Sequence, residues 1–307
     1  MNGALRRPAP LRAGSRAAVV ALSSPIPPDR LEVGLAVLRD WGLQVSEGLH
    51  LRASHPRLDY LAGTDRHRSA DFTAAWSDPS VEAIILGRGG YGAQRVLDLF
   101  DWEVLAQRAV PPAVMGFSDV TALLAALETR LGVAGIHGPV VTSLGDADVA
   151  TREHAWAVLC GREAGTVLGA GLRPIVAGNA TGGLLGGNLA LLAASVGTPD
   201  LPQADGRIVV LEDVSEQPRR LDRLLTQLIR SGWLGQASAV VCGDFTHCGD
   251  PDMVLEVLAD RLGGLGVPAY TGAAIGHGVT NLAFPVGACA ALTDGMLSLV
   301  DDGEDRA

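Results

Sequence analysis

Ser118 lies in the segment GFSDVT, between an apolar run that predicts a strand and a run that predicts a helix. A serine at such a place is commonly a helix N-cap, because its side-chain oxygen accepts a hydrogen bond from a first-turn N–H. The turn from a strand into a helix is also where many hydrolases present a nucleophilic serine. The segment alone leaves both interpretations of Ser118 open.

A nucleophilic serine needs a general base, and the base needs a group that orients it. Three of the seven histidines follow apolar runs, where loops at strand ends come together; they are His137, His247 and His277. Among the acids, Glu212 closes the apolar run RIVVLE, where a charge is costly unless a partner stabilises it. Glu216 is explained as an acid in the first turn of a helix. Spacing alone permits a triad of Ser118, Glu212 and His277, beside the alternative that these residues have only structural roles.

A glycine-rich loop, LGRGGYGAQ, follows another predicted strand. Gly87, Gly89 and Gly92 have the G-x-G-x-x-G spacing of dinucleotide sites, and Asp119 at the end of the next strand could bind the ribose. Alternatively, the backbone N–H groups of Gly89 and Gly90 donate to a developing oxyanion. A tight loop without any ligand is the third interpretation.

The cysteines indicate reduced, packed thiols rather than a disulfide framework. They are Cys160, Cys242, Cys248 and Cys289. Cys242, His247, Cys248 and Asp250 lie close in sequence, but their spacing matches no standard zinc pattern. Because Cys242 ends the apolar run ASAVVC, a buried strand thiol is the better interpretation, and we predict no metal site.

The elements that must position these residues alternate between strand and helix. The first half contains strands RAAVVALSS, LQVSEG, VEAIILG and AVPPAVMGFS, separated by helices PPDRLEVGLAVLRDWG, DRHRSADFTAAWSD and AQRVLDLFDW. This order predicts a parallel sheet covered on both faces. The helix after Ser118 ends at a C-cap, Gly132. Beyond residue 144 the pattern loosens: a predicted helix, TREHAWAVLCG, is followed by a glycine-rich, β-prone stretch, which indicates a change of domain.

Composition limits the class of protein. The chain has 307 residues, 48% of them hydrophobic, and a net charge of −10, which argues against a nucleic-acid binder or an anionic-membrane binder and favours a small-molecule substrate. The N-terminal segment MNGALRRPAPLRAGSR carries positive charge but no apolar h-region, so we expect a cytoplasmic protein.

Several segments together resemble the LD-carboxypeptidase family of serine peptidases. In the family's order they are GTDRHR with RGGYG, GFSDVTAL, IHGP, GGNLALLAASVGTP, LEDVSEQPRRLDRLLTQL and GHGVTNLAFPVG. The resemblance implies an N-terminal flavodoxin-like parallel-sheet α/β domain and a smaller β-rich α/β C-terminal domain, with the active site in the cleft between them. We expect the first domain over 1–145, a linker over 146–170 and the second domain over 171–307.

Carried over residue by residue, the resemblance implies a catalytic role for five positions. Ser118 is the nucleophile, His277 the general base and then acid, and Glu212 the carboxylate that orients His277. The backbone N–H groups of Gly90 and Asp119 form the oxyanion hole. No metal or organic cofactor is implied.

The substrate implied by the resemblance is a cytoplasmic murein tetrapeptide, from which the enzyme releases the terminal D-alanine during peptidoglycan recycling. A homodimer is also implied. The alternatives are a microcin C immunity-type hydrolase of an acyl-sulfamoyl adenylate, and a non-catalytic dinucleotide-binding module. Three questions stay open: whether the third stem residue is lysine or diaminopimelate, which group holds the terminal carboxylate, and whether Glu216 is the orienting acid instead of Glu212.

Overall fold

The computed structural model of the protein describes residues 5–300. These residues divide into two compact units, with the division between Arg162 and Glu163. The division falls inside the segment 146–170 that was expected to be a linker. Part of that segment is a helix, Val149–Leu159, which belongs to the first unit, where Trp156 stacks on Trp41 with ring centroids 5.5 Å apart.

Over its described residues, 5–162, the first unit consists of one parallel sheet and seven α-helices. Its strands are β1 Arg16–Val20, β2 Gln44–Glu47, β3 Ala83–Leu86, β4 Ala113–Gly116 and β5 Ile136–His137. Its helices are α1 Pro28–Asp40, α2 Asp65–Ser77, α3 Ala93–Leu97, α4 Trp102–Ala106, α5 Thr121–Leu131, α6 Val141–Leu144 and α7 Val149–Leu159. The strand order within this unit, β2-β1-β3-β4-β5, is the flavodoxin-like order and confirms the predicted α/β class.

Three central strands of this sheet end at one edge. Ala17 of β1, Ala83 of β3 and Ala113 of β4 are register partners, so the segments that follow the three strands emerge side by side. Strands β3 and β4 are buried along their whole length, as expected for a parallel sheet with helices on both faces. This edge therefore brings together the residues after β1, the glycine loop after β3 and the GFSD segment after β4.

One predicted helix of the first unit is divided in the structure. The segment AQRVLDLFDW forms α3 and, after a short break, the start of α4. The Asp101 side chain accepts a hydrogen bond from Val104 N–H and so caps a new helix. The apolar spacing was correctly assigned to helix, but it did not indicate the local side-chain cap that begins a second one.

The second unit is built on a mixed, β-rich sheet. Its strands are β6 Val167–Gly169, β7 Arg173–Val176, β8 Ala180–Asn188, β9 Ile208–Val214, β10 Ala239–Thr246, β11 Ala269–Thr271, β12 Phe284–Pro285, β13 Cys289–Thr293 and β14 Met296–Leu299. Its helices are α8 Leu189–Ala194, α9 Pro218–Arg230 and α10 Pro251–Leu262. Eight strands form the order β6-β14-β13-β8-β9-β10-β11-β7. Strands β8 to β11 pair in parallel, and the outer pairs are antiparallel.

The α9 helix packs through one apolar stripe, with Leu221, Leu225 and Leu228 fully buried. Pro218 occupies its first turn, and Gly232 beyond its end has φ +77°, both as expected from the sequence. Across residues 5–300, no helix combines the length and the apolar character that a membrane span requires.

Candidate active site

The backbone at Ser118 has an unusual conformation. Ser118 follows β4 and Phe117 and has φ +62°, a left-handed value that residues other than glycine rarely adopt. It is the first residue of a single 3-10 turn that leads into α5, and neither this turn nor α5 begins with a side-chain N-cap. The N-cap interpretation of Ser118 is therefore wrong. A sharp, strained turn from strand to helix is the geometry that exposes a nucleophile's side chain.

The glycine loop after β3 lies directly against Ser118. A Cβ atom placed on Gly89 would be 2.9 Å from Ser118 Cβ, so only glycine permits this approach. Gly90 has φ +115°, and a Cβ atom there would overlap Ser24 Oγ. The Ser24 hydroxyl oxygen instead accepts a hydrogen bond from Tyr91 N–H. The glycine loop thus packs directly against the serine from which a nucleophilic attack would begin.

The Asp119 carboxylate is buried and already occupied by protein donors. Its Oδ2 accepts hydrogen bonds from Ser23 Oγ at 2.6 Å and from Ala93 N–H at 2.7 Å. Burial raises the pKa of the Asp119 carboxyl, and these hydrogen bonds oppose the shift. In the dinucleotide interpretation this carboxylate would accept hydrogen bonds from a ribose. In the structure the Asp119 carboxylate instead accepts the N–H of Ala93, the first residue of α3, immediately after the glycine loop.

In the second unit, Glu212 and His277 form a hydrogen-bonded pair. Glu212 lies in β9 with no exposed side-chain surface, and its Oε2 is 2.6 Å from His277 Nδ1. His277 lies in the loop after β11, and 18% of its side chain is exposed. A carboxylate at Nδ1 favours the tautomer with the proton on Nδ1, which leaves Nε2 able to accept a proton.

The alternative acid, Glu216, has a different partner. Its carboxylate forms an ion pair with Arg220, one turn further along the chain. Of these two acids, Glu212 is therefore the one that is hydrogen-bonded to His277.

The loop that carries His277 is held at both neighbouring residues. Gly276 N–H donates to Asn281 Oδ1 at 3.0 Å, and Gly278 N–H donates to Asp244 Oδ2 at 3.0 Å. Gly276 has φ +120°, and a Cβ atom there would lie 2.9 Å from Glu212 Oε2. Sequence reasoning missed Asp244 and Asn281. The only available signals were an acid near the end of the strand run ASAVVCGDF and an amide soon after the histidine in GHGVTN.

Asp213 differs from its neighbour Glu212 in both partners and orientation. Successive strand residues point to opposite faces of a sheet, so Asp213 faces away from His277. Its carboxylate accepts hydrogen bonds from Asn188 Nδ2 and Ala190 N–H, both at 3.0 Å, and fixes the start of α8. Burial raises the pKa of Asp213 to about 6.

The remaining candidates lie elsewhere. His137 is buried, with its ring edge-on to Phe117 at 6.0 Å, and His247 occupies a turn at φ +57°. Cys242 is fully buried, which raises the pKa of its thiol to about 12, and Asp250 caps α10. Over the described part of the chain, no three His, Cys, Asp or Glu side chains are grouped as a metal site would require.

Two family domains match this chain. Residues 17–138 match the LD-carboxypeptidase N-terminal domain, and residues 181–292 match the LD-carboxypeptidase C-terminal domain. Together these matches cover most of the sequence. The chain belongs to the LD-carboxypeptidase family of serine peptidases.

Individual relatives agree with this assignment. A putative carboxypeptidase of Streptomyces coelicolor is 48% identical, with 94% of this chain and 93% of the relative covered. A murein tetrapeptide carboxypeptidase of Pseudomonas aeruginosa is 36% identical, with 90% and 92% covered. The crystal structure of a muramoyltetrapeptide carboxypeptidase from Oxalobacter formigenes superposes with a TM-score of 0.80 at 30% identity, covering 92% of this chain and 99% of that one.

The fold is shared more widely. The microcin C7 self-immunity protein MccF, in complex with aspartyl sulfamoyl adenosine, superposes with a TM-score of 0.86. It is 22% identical, and the superposition covers 98% of this chain and 99% of MccF. At that identity the likeness concerns the fold alone.

Proposed function

We propose that this LD-carboxypeptidase cleaves the L,D-peptide bond that joins the terminal D-alanine to a murein tetrapeptide, through a Ser-His-Glu triad and an acyl-enzyme. The observation that carries the proposal is the 2.6 Å hydrogen bond between buried Glu212 and His277 Nδ1. A histidine oriented in this way is suited to serve as a general base for a serine. The relatives named for murein tetrapeptides support the choice of substrate.

In the proposed mechanism, Ser118 Oγ attacks the scissile carbonyl carbon while His277 Nε2 takes the hydroxyl proton. The tetrahedral intermediate collapses as the C–N bond breaks, and His277 gives that proton to the leaving amine of D-alanine. Water then attacks the acyl carbon while His277 accepts its proton; the acyl C–O bond breaks as His277 returns that proton to Ser118 Oγ, and the shortened peptide leaves as a carboxylic acid. Glu212 stabilises the imidazolium that forms in each half-reaction.

The negative charge on the carbonyl oxygen requires donors that are already in place. We assign this role to the backbone N–H groups of Gly90 and Asp119. Two features support the assignment: the glycine loop approaches Ser118 Cβ closely, and Asp119 immediately follows the serine at the start of a helical turn. Removing one donor of this kind from an oxyanion hole typically lowers kcat by about 10²–10³.

The proposal is tested by incubation with a murein tetrapeptide and mass detection of free D-alanine. Ser118→Ala should abolish release while the melting temperature stays near that of the wild type. Ser80→Ala, at an exposed serine in the same unit, is the matched control and should retain full activity. Rapid D-alanine release by Ser118→Ala would contradict the triad. A tetrapeptide with terminal L-alanine should not be cleaved.

A hydrolase of acyl-sulfamoyl adenylates would use the same triad, so the substrate is the discriminating variable. The likeness to MccF justifies a parallel incubation with aspartyl sulfamoyl adenosine. We expect turnover of the tetrapeptide and none of the nucleoside compound. The reverse result would reassign the substrate and leave the triad intact.

The role in peptidoglycan recycling, the cytoplasmic location and the homodimer are parts of this proposal supported by the family resemblance. Each has its own measurement: murein peptides that accumulate in a deletion strain, cell fractionation, and light scattering of the purified protein.

A further inference from the structure

One peptide group beside the glycine loop is held from two sides by buried charged side chains. Arg68 Nη1 donates a hydrogen bond to Gly92 O at 2.8 Å, and Asp119 Oδ2 accepts one from Ala93 N–H at 2.7 Å. The Gly92 carbonyl and the Ala93 amide belong to the same peptide bond. In a trans peptide these two groups point in opposite directions, so the two side chains hold the peptide between them.

Both charged groups are nearly inaccessible to solvent: Arg68 is 0% exposed and Asp119 is 2% exposed. Hydrogen bonds to ionised groups are shorter and stronger than those between neutral groups, and a low-dielectric interior strengthens them further. The conformation of Gly92 is adapted to this contact. It has φ +130°, and a Cβ atom there would lie 2.7 Å from Arg68 Nη1.

The same two side chains also hold the segment that follows β1. Arg68 donates a second hydrogen bond to the Leu22 carbonyl and pairs with Asp65. Ser23, the next residue along the chain, donates its hydroxyl to Asp119 Oδ2 at 2.6 Å. The residues after β1, the glycine loop after β3 and the nucleophile turn after β4 are thus joined by a continuous set of buried hydrogen bonds.

This network has a direct bearing on the oxyanion hole. The backbone N–H of Asp119 is one proposed oxyanion donor, and the backbone N–H of Gly90 is the other. The Asp119 carboxylate is hydrogen-bonded to Ala93, which lies three residues after Gly90. The relative position of the two donors therefore depends on a short path through the Asp119 side chain and the loop. Oxyanion donors act within a narrow range of distances, about 2.7–3.1 Å from the oxygen.

We propose that Arg68 and the Asp119 carboxylate are positioning residues that make the N–H groups of Gly90 and Asp119 converge on the oxyanion. The inference rests on the proposed function, because it assigns a further role in that same site. Neither side chain touches the reacting atoms. Their effect is on the geometry of the glycine loop and should appear in kcat rather than in substrate binding.

The test substitutes Asp119 and separates turnover from binding. Asp119→Asn keeps an acceptor for Ala93 N–H but loses the charge, and should lower kcat by about 10- to 100-fold with little change in KM. Asp119→Ala removes the acceptor and should lower kcat further, so asparagine gives partial rescue. Ser23→Ala keeps the Asp119 carboxylate and removes one of its hydrogen-bond donors, so it should lower kcat less. This variant replaces the Asp119 variants in the test if they do not fold.

Asp71→Asn is the matched control, because Asp71 is another buried carboxylate of the first unit that accepts a backbone N–H, from His50 at 2.8 Å. It should leave kcat unchanged.

A second readout reports on the oxyanion hole itself. A tetrapeptide analogue with a boronic acid in place of the scissile carbonyl forms a tetrahedral adduct with a nucleophilic serine. Its inhibition constant should rise in Asp119→Asn by the same factor by which kcat falls. An unchanged kcat, an unchanged inhibition constant, or a loss confined to KM would overturn the inference alone. A wild-type protein that neither releases D-alanine nor binds the boronic acid would overturn the proposed function and the inference with it.

Discussion

Glu212→Gln is the most direct perturbation of the proposed triad. The substitution keeps the size and shape of a side chain that is fully buried in β9, and it removes only the negative charge opposite His277. The histidine carries a positive charge in the transition state, so the loss of its counter-charge should act on kcat.

The magnitude follows from the geometry of this pair. With a 2.6 Å contact between Glu212 Oε2 and His277 Nδ1, the two charges are centred roughly 4 Å apart, which corresponds to about 4 kcal/mol at an effective dielectric constant of 20. Because each 1.36 kcal/mol changes a rate about tenfold, kcat should fall by roughly 10³. A glutamine that donates to Nδ1 would also stabilise the unproductive tautomer, which acts in the same direction.

The assay is D-alanine release under saturating tetrapeptide, with thermal unfolding as the check on folding. Glu216→Gln is the matched control, because Glu216 lies four residues further along the chain and forms an ion pair with Arg220. We expect the control to retain wild-type turnover. A large loss in Glu216→Gln together with near-normal turnover in Glu212→Gln would show that the orienting acid has been misassigned.

Two further predictions concern the second unit. Gly276→Ala should lower both kcat and the melting temperature, because Gly276 has φ +120° and the added Cβ would lie 2.9 Å from Glu212 Oε2. Gly272→Ala is the control: Gly272 has φ +101°, but no atom lies within 4 Å of the added Cβ, so only the melting temperature should fall. Equal losses of kcat in the two variants would contradict this prediction. For Asp213, burial raises the pKa from 3.8 to about 6, so the folded state binds the proton more tightly than the unfolded state. The stabilising contribution of this group is therefore present below pH 4 and is lost as the pH rises through about 6, by roughly 3 kcal/mol. Urea unfolding should show this decrease between pH 4 and pH 7 in the wild type relative to Asp213→Asn, and a difference independent of pH would disprove it.

Much of the fold could be predicted because its determinants are local. The alternation of short β-branched runs with amphipathic helices indicates a parallel sheet without knowledge of any contact, and the strand order of the first unit confirms that class. The end of α5 at Gly132, with φ +61°, is equally local. The break between α3 and α4 was missed, because it depends on the side chain of Asp101 reaching Val104 N–H.

Ser118 shows where local patterns are insufficient. A serine between a strand and a helix fits a cap and a nucleophile turn equally well, and only the backbone angle separates them. At φ +62° the residue lies inside the turn and is not its cap. In this conformation Ser118 packs against the glycine loop, about 30 positions earlier in the chain, a contact that no local pattern reports.

The sequence by itself determined the residue types on which the chemistry depends, the order of the elements that carry them, and membership of the LD-carboxypeptidase family. The tertiary structure decided which partner each of these residues has. It paired Glu212 with His277 across 65 positions, and it joined Asp119 to Ala93 and Ser23. The physical reason is that a hydrogen bond between distant residues depends on strand register and on burial, whereas local propensity reports only on neighbours along the chain.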